Sequence, residues 1–127
     1  MVAYSFKKRF AEPILEGRKS RTIRAVGKRI HAKPGDVLQL YVGMRTKHCR
    51  LIAAPTCTYA GPIVIDWTDE EPIIMAHGGR ILDLDGFAQS DGFAGIDEMR
   101  AFWKREHPGV ERFEGVMIRW TPLHRAD

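Results

Sequence analysis

At 127 residues, with 44% hydrophobic and 28% charged side chains, the chain has the size and composition of one globular domain, expected over 1–127 with its core between about residues 4 and 120. No apolar run approaches the roughly 20 residues of a spanning helix, and the start Met1-Val2-Ala3-Tyr4-Ser5-Phe6-Lys7 is too short and polar for a secretory signal, so no membrane association and a cytoplasmic location are expected. The net charge of +4 is unevenly spread: residues 1–50 hold 13 Lys and Arg against Glu12, Glu16 and Asp36, and the other 77 hold 7 against 13, which points to an anionic partner for the first half unless the halves neutralise each other.

Tyr4-Ser5-Phe6 alternates weakly, as a short first strand would. Phe10 to Gly17 reads as a short helix: Pro13 suits the first turn, Gly17 the C-terminal cap, and Phe10, Ile14 and Leu15 make its apolar stripe. Ser20 to Arg24 reads as a strand, followed by a basic loop from Ala25 to Ala32. Lys33-Pro34-Gly35-Asp36 is a turn launching a buried strand, Val37 to Val42, and Gly43 to Lys47 turns the chain again. His48 to Tyr59 reads as one long or bent strand with Pro55 at an edge or bulge. Gly61-Pro62 is expected to turn before a strand from Ile63 to Trp67. Asp69-Glu70-Glu71-Pro72 turns into Ile73 to Ala76, and Arg80-Ile81-Leu82 would complete a hairpin across Gly78-Gly79.

Past Asp83 the period becomes helical. Leu84, Phe87 and Ala88 place a short helix over Asp83 to Ser90, which Asp91-Gly92-Phe93 breaks. Ile96, Met99, Phe102 and Trp103 then form the stripe of a helix running to about His107, with Asp97 and Glu98 near its start and Arg100, Lys104 and Arg105 later. Phe113 to Trp120 is the last strand, followed by a polar tail. The fold class expected is α+β, a small mixed or antiparallel β-barrel flanked by about three helices. Cys49 and Cys57 both sit in apolar stretches and read as buried thiols rather than a bridge. The five histidines show no ligand spacing, so no metal and no cofactor are expected.

The segment Gly17-x-Lys19-x-x-Thr22-x-Arg24 packs four cations into eight residues. If extended, it places Arg18, Ser20, Thr22 and Arg24 on one face and Lys19, Arg21 and Ile23 on the other, a sorting that a bulge or bend would change. This segment is followed by Pro34-Gly35-Asp36 before an apolar strand, by Asp91-Gly92-Phe93 before the Met99/Phe102/Trp103 helix, and by Phe113 with Ile118-Arg119-Trp120 in the last strand. In that order, and over nearly the whole chain, these elements resemble an ASCH domain. The resemblance implies a PUA-like β-barrel with a cleft lined by the first motif, and recognition of RNA or of modified nucleosides.

Some small bacterial members of that family are N(4)-acetylcytidine amidohydrolases that use a Lys, a Thr and a Glu. The matching positions are Lys19, Thr22 and, ahead of Gly-Phe, Asp91, one methylene shorter than Glu; Asp85 of Asp85-Gly86-Phe87 is a second match with poorer spacing. Amide cleavage needs a nucleophile, an acceptor for its proton and an acid for the departing amine. Thr22 could attack if Lys19 is neutral, which burial among Arg18, Arg21 and Arg24 promotes, and Asp91 could orient Lys19 or protonate the amine. Lys19 and Asp91 could equally form a structural ion pair within a binding cleft.

Arg18, Arg21, Arg24, Lys28, Arg29, Arg45 and Lys47 are the candidate ligand-binding cations, Arg24 for a ribose, phosphate or carbonyl oxygen. Among Tyr41, Tyr59, Trp67 and Trp103, Tyr41 is the candidate for stacking on a base, while Phe102 and Trp103 read as core. Two functions are therefore expected in competition. One is RNA or nucleoside binding through a basic cleft built on Gly17–Arg24. The other is a small hydrolase of acylated cytidine; an RNA-cleaving variant has less support, because His31 and His48 have no evident partner.

Overall fold

In the computed structural model, which describes residues 1–124, the strands are β1 (Val2–Phe6), β2 (Arg21–Ala25), β3 (Leu38–Val42), β4 (Arg50–Ala53), β5 (Cys57–Asp66), β6 (Ile73–Ala76), β7 (Gly79–Arg80) and β8 (Arg112–Trp120). The helices are α1 (Ala11–Leu15), α2 (Leu84–Ser90) and α3 (Ile96–Glu106), with a 3₁₀ turn at Lys8–Phe10 leading into α1. The protein is α+β. Period-two alternation sets the inward faces of the strands: Tyr4 and Phe6 in β1, Leu38 and Leu40 in β3, Ile63 and Ile65 in β5 are all buried. In α3 the spacing of Met99 and Trp103, four residues apart, buries one face, with Ile96 and Phe102 at its margin.

The strands form two sheets. One has the order β1-β3-β4, with β1 parallel to β3; the other, antiparallel throughout, has the order β2-β8-β5-β6-β7. The expected closed barrel is not present. β1 pairs with β3 across the sequence rather than with β2, so among the described residues β2 has only β8 as a partner and ends the second sheet. One apolar cluster joins Leu38 and Leu40 to Ile63, Ile65, Met117 and Ile118, and to Ile14, Phe87, Met99 and Trp103 of the helices. Each such side chain contributes about 1.5–3 kcal/mol by leaving water. No helix among the described residues is long and apolar enough to cross a membrane.

Three local expectations are corrected. Gly61-Pro62 is not a turn but lies within β5, opposite Met117 and Val116 of β8. Pairing of β5 with β6 begins only at Ile63, so among the described residues Pro62 has β8 as its one strand neighbour, the edge-like position that a proline tolerates. Pro55 divides what was read as one strand from His48 to Tyr59 into β4 and the start of β5. Cys49 is exposed, because it lies in the loop before β4 rather than in a strand; Cys57, at the start of β5, is buried. The polar tail extends past Trp120, and its residues 125–127 lie outside the described part.

Candidate functional site

Gly17, at φ +82°, lets the chain leave α1 in the left-handed region that a side chain resists. Lys19 N then donates to Pro13 O at 2.9 Å, and Ser20 N to Ser90 O at 3.1 Å. Lys19 and Asp91 face each other as an isolated antiparallel bridge, which clips the entrance of β2 to the end of α2. Gly92 follows in the left-handed region at φ +95°. A Cβ there would lie 3.1 Å from Lys19 Cδ and 3.2 Å from Phe10 Cδ1, so the absence of a side chain makes room for the lysine stem.

That stem carries Lys19 Nζ to the Asp91 carbonyl oxygen at 2.7 Å and to Asp91 Oδ1 at 3.0 Å. Both residues are buried, and Nζ lies over the rings of Phe10 (4.8 Å) and Phe6 (5.7 Å). Burial pushes the Lys19 amine below its ordinary value and the Asp91 carboxyl above its own, each against the attraction of the other. Both groups are thus driven toward their neutral forms.

Arg24, on β2, completes the arrangement. Its Nε donates to Thr22 Oγ1 at 2.9 Å and its Nη2 to Ser5 O at 2.6 Å, and its guanidinium lies 4.9 Å from the Phe6 ring centre. The Thr22–Arg24 contact is the same-face, two-residue relationship that alternation predicts. The Ser5 contact joins the two sheets, since Ser5 belongs to β1. Burial and the neighbouring Arg29 lower the Arg24 guanidinium to about 10. Phe6 therefore has Lys19 and Arg24 on its ring together.

Lys19, Arg24 and Asp91 open into a cleft of about 270 Å³ whose other walls include Phe6, Phe10, Phe93, Phe102, Trp103 and Phe113. Arg9 stacks across Phe10, Phe93 and Phe102 at 5.1, 5.3 and 5.6 Å and pairs with Glu98. Ile23 and Arg24 form the β2 wall; Thr22 is buried and reaches the cleft through Arg24. The arrangement offers an aromatic surface for a flat ligand and donors from Lys19 and Arg24 for its polar edge.

The remaining expected residues are dispersed. Arg21 turns away to stack over Phe87 at 4.3 Å, because the chain straightens into β2 only at Arg21 and Lys19 lies outside the strand's alternation. Arg18 is exposed and pairs with Glu16. Arg29 stacks over Tyr4 at 4.4 Å, while Lys28 is exposed in the same loop. Arg45 and Lys47 are exposed in the turn after β3, and Tyr41 is half-buried within that sheet, opposite Ser5 and Leu51; none of the three lines the cleft. Asp85 accepts from Ile96 N at 2.9 Å at the start of α3, so Asp91 is the carboxylate that meets Lys19. His31 does have partners, Tyr4 Oη and Ala25 O, both at 3.0 Å. Trp103 belongs to the core as expected, Phe102 packs partly buried against it, and both also line the cleft.

The aromatic wall and Arg9 went unread in the sequence. Their rings come from β1, the 3₁₀ turn, α3, β8 and the turn after α2, and no local spacing links them. No family model, no curated protein and no solved structure matches the chain.

Proposed function

We propose that this chain is an ASCH-type protein with PUA-like architecture that binds a nucleoside, free or within RNA, in the cleft beside Lys19, Arg24 and Asp91. The observation that carries the reading is the convergence of Lys19 and Arg24 on the Phe6 ring at an aromatic-walled cleft of about 270 Å³. A base stacks on such rings whatever its identity, while a guanidinium supplies donors to its carbonyl or to a ribose or phosphate oxygen. Asp91, which lines the same cleft, adds a carboxyl for the base edge.

A second reading, hydrolysis of an N(4)-acylated cytidine, is favoured by the Lys19 amine being driven toward its neutral, proton-accepting form. In that reaction Thr22 Oγ1 bonds to the acyl carbon, its proton passes to Lys19, and the cytosine amine leaves with a proton; water then releases the acyl group. The Thr22 hydroxyl is held by Arg24, and no hydrogen bond joins it to Lys19 or Asp91 among the described residues. Binding therefore stands first.

Titration of the protein with cytidine, N(4)-acetylcytidine and a short single-stranded RNA, followed by tryptophan fluorescence and by chromatography of the nucleoside, separates the two. Saturable binding without turnover, weakened at least ~10-fold in Arg24→Met by loss of a charged hydrogen-bond donor, supports the binding reading. Loss of the acetyl group that stops in both Lys19→Ala and Thr22→Ala supports the hydrolase. Absence of both binding and turnover overturns the assignment.

A further inference from the structure

A second basic centre lies apart from the cleft. β2 and β8 place Arg21 directly opposite Arg119, two like charges on facing strand positions, an arrangement that is unfavourable unless something neutralises it. Arg21 is nine-tenths buried. Phe87 covers one face of its guanidinium; among the described residues its one side-chain hydrogen bond goes to the thioether sulfur of Met117 at 3.5 Å, and its buried Nε has no partner. Arg119 is half-buried; its Nη1 lies 3.4 Å from His77 Nε2, and its buried Nε is likewise without a partner among the described residues. Asp91 acts on the charge of Arg21 from a distance, but its own hydrogen bond goes to Lys19.

Arg21 and His77 line an open hollow of about 390 Å³ between β2 and α2, and Arg119 reaches its wall through His77. His77 holds a left-handed backbone at φ +55° and packs its ring on Tyr59 at 4.4 Å, which fixes it beside Arg119. Asp83 also lines the hollow, with Oδ1 accepting from Gly86 N at the start of α2. Buried guanidinium donors without an acceptor are costly to keep. An oxyanion in the hollow offers acceptors to the part of the Arg21 guanidinium that lines it, with Arg119 behind His77 adding positive charge, and guanidinium groups match the geometry of a phosphate group.

We propose that Arg21 and Arg119, with His77, form a phosphate-binding site in this hollow, independent of the ligand held in the cleft. The phosphate oxygens would accept from the guanidinium edges that Phe87 and Met117 leave open, and would neutralise the cross-strand repulsion. A terminal phosphate monoester and a diester in an RNA backbone share this chemistry.

The test is titration calorimetry of the full chain at constant ionic strength with three probes: inorganic phosphate, cytidine 5′-monophosphate and a short RNA, against sodium chloride as control. The variants are Arg119→Gln, Arg21→Gln and, in the cleft, Arg24→Met, each checked for folding by circular dichroism. Expected is binding above the chloride control that Arg119→Gln weakens at least ~10-fold, as loss of a charged donor does; a loss of inorganic phosphate binding confined to Arg24→Met places the phosphate in the cleft and overturns the proposal. Binding of phosphate and the monophosphate identifies a terminal phosphate group; binding of the RNA alone identifies a backbone diester. Arg119 is the less buried of the two, so its variant decides the matter if Arg21→Gln does not fold. No binding above chloride, or equal binding by wild type and Arg119→Gln, overturns the proposal.

Discussion

Lys19 and Asp91 meet twice, once through their side chains at 3.0 Å and once as facing residues of a backbone bridge. The bridge clips the start of β2 to the end of α2, and the side-chain contact is made beside it. Removing one member of a buried pair leaves the other without compensation, at about 3–5 kcal/mol. Lys19→Met and Asp91→Leu are each expected to lose stability on that scale in urea denaturation, and the double variant Lys19→Met/Asp91→Leu to lose less than the sum. Additive losses would mean that the two groups do not interact.

The same pair predicts opposite pH slopes. The Lys19 amine is depressed below 10.5 in the folded protein, so its contribution is complete above 10.5 and is lost as pH falls through its folded value. The Asp91 carboxyl is raised above 3.8, so its contribution is complete below 3.8 and is lost as pH rises through its folded value. Stability of wild type relative to Lys19→Met should therefore climb as pH rises toward 10.5. Relative to Asp91→Asn it should fall as pH rises from 3.8. Urea midpoints taken across pH 3.5–10.5 give both differences, and parallel curves would refute the shifts.

Arg24 spans the two sheets through Thr22 Oγ1 and Ser5 O. Lysine has no fork with which to reach both oxygens. Arg24→Lys should therefore cost about 1.5–3 kcal/mol, the value of a hydrogen bond from a charged donor, and weaken ligand binding with it. Thermal unfolding beside a binding titration measures both; an unchanged melting point would show that the tether is dispensable.

Gly92→Ala tests the packing behind the lysine. Its φ of +95° and the 3.1 Å approach to Lys19 Cδ both oppose a side chain. A loss of about 1–2 kcal/mol is expected from the backbone alone, together with a displaced amine and weaker nucleoside binding. Gly109→Ala, also at positive φ (+78°) but with open space around its Cβ, should show the backbone cost without the binding defect.

Asp85 and Asp91 both precede Gly-Phe yet should respond differently. Asp85 accepts from Ile96 N at the start of α3, so Asp85→Ala is expected to cost about 1 kcal/mol, as a lost helix cap does. Its ligand affinity should remain that of wild type. If Asp85→Ala abolished binding and Asp91→Asn did not, the acid would have been assigned to the wrong residue.

Elements whose pattern is local could be read from the sequence: the α3 stripe of Met99 and Trp103, the alternation of Leu38 and Leu40, and the Thr22–Arg24 face. Lys19, Thr22, Arg24 and Asp91 gather in one region, yet the direction in which Lys19 points depends on a bridge to Asp91 that only tertiary packing creates. Arg21 shows the limit most clearly. Strict alternation puts it beside Lys19, and the bend ahead of β2 sends it to Phe87 instead. Pro62 was misread because a proline signals a turn unless the neighbouring strand happens to be absent, which is a property of the whole sheet. The aromatic wall was illegible for the same reason, its rings being brought together by packing rather than by spacing.

The position of β8 between β2 and β5 also sets the order of assembly. β2 can pair only when Arg21 finds Arg119, nearly the whole chain away, and closing so long a loop is slow and entropically costly. The segment from Arg21 to Ala25 thus takes its place in the sheet only after β8 has been synthesised. Lys19 and Arg24 precede β8 by most of the sequence, so the cleft that they line together with Phe113 is complete only when β8 is in place.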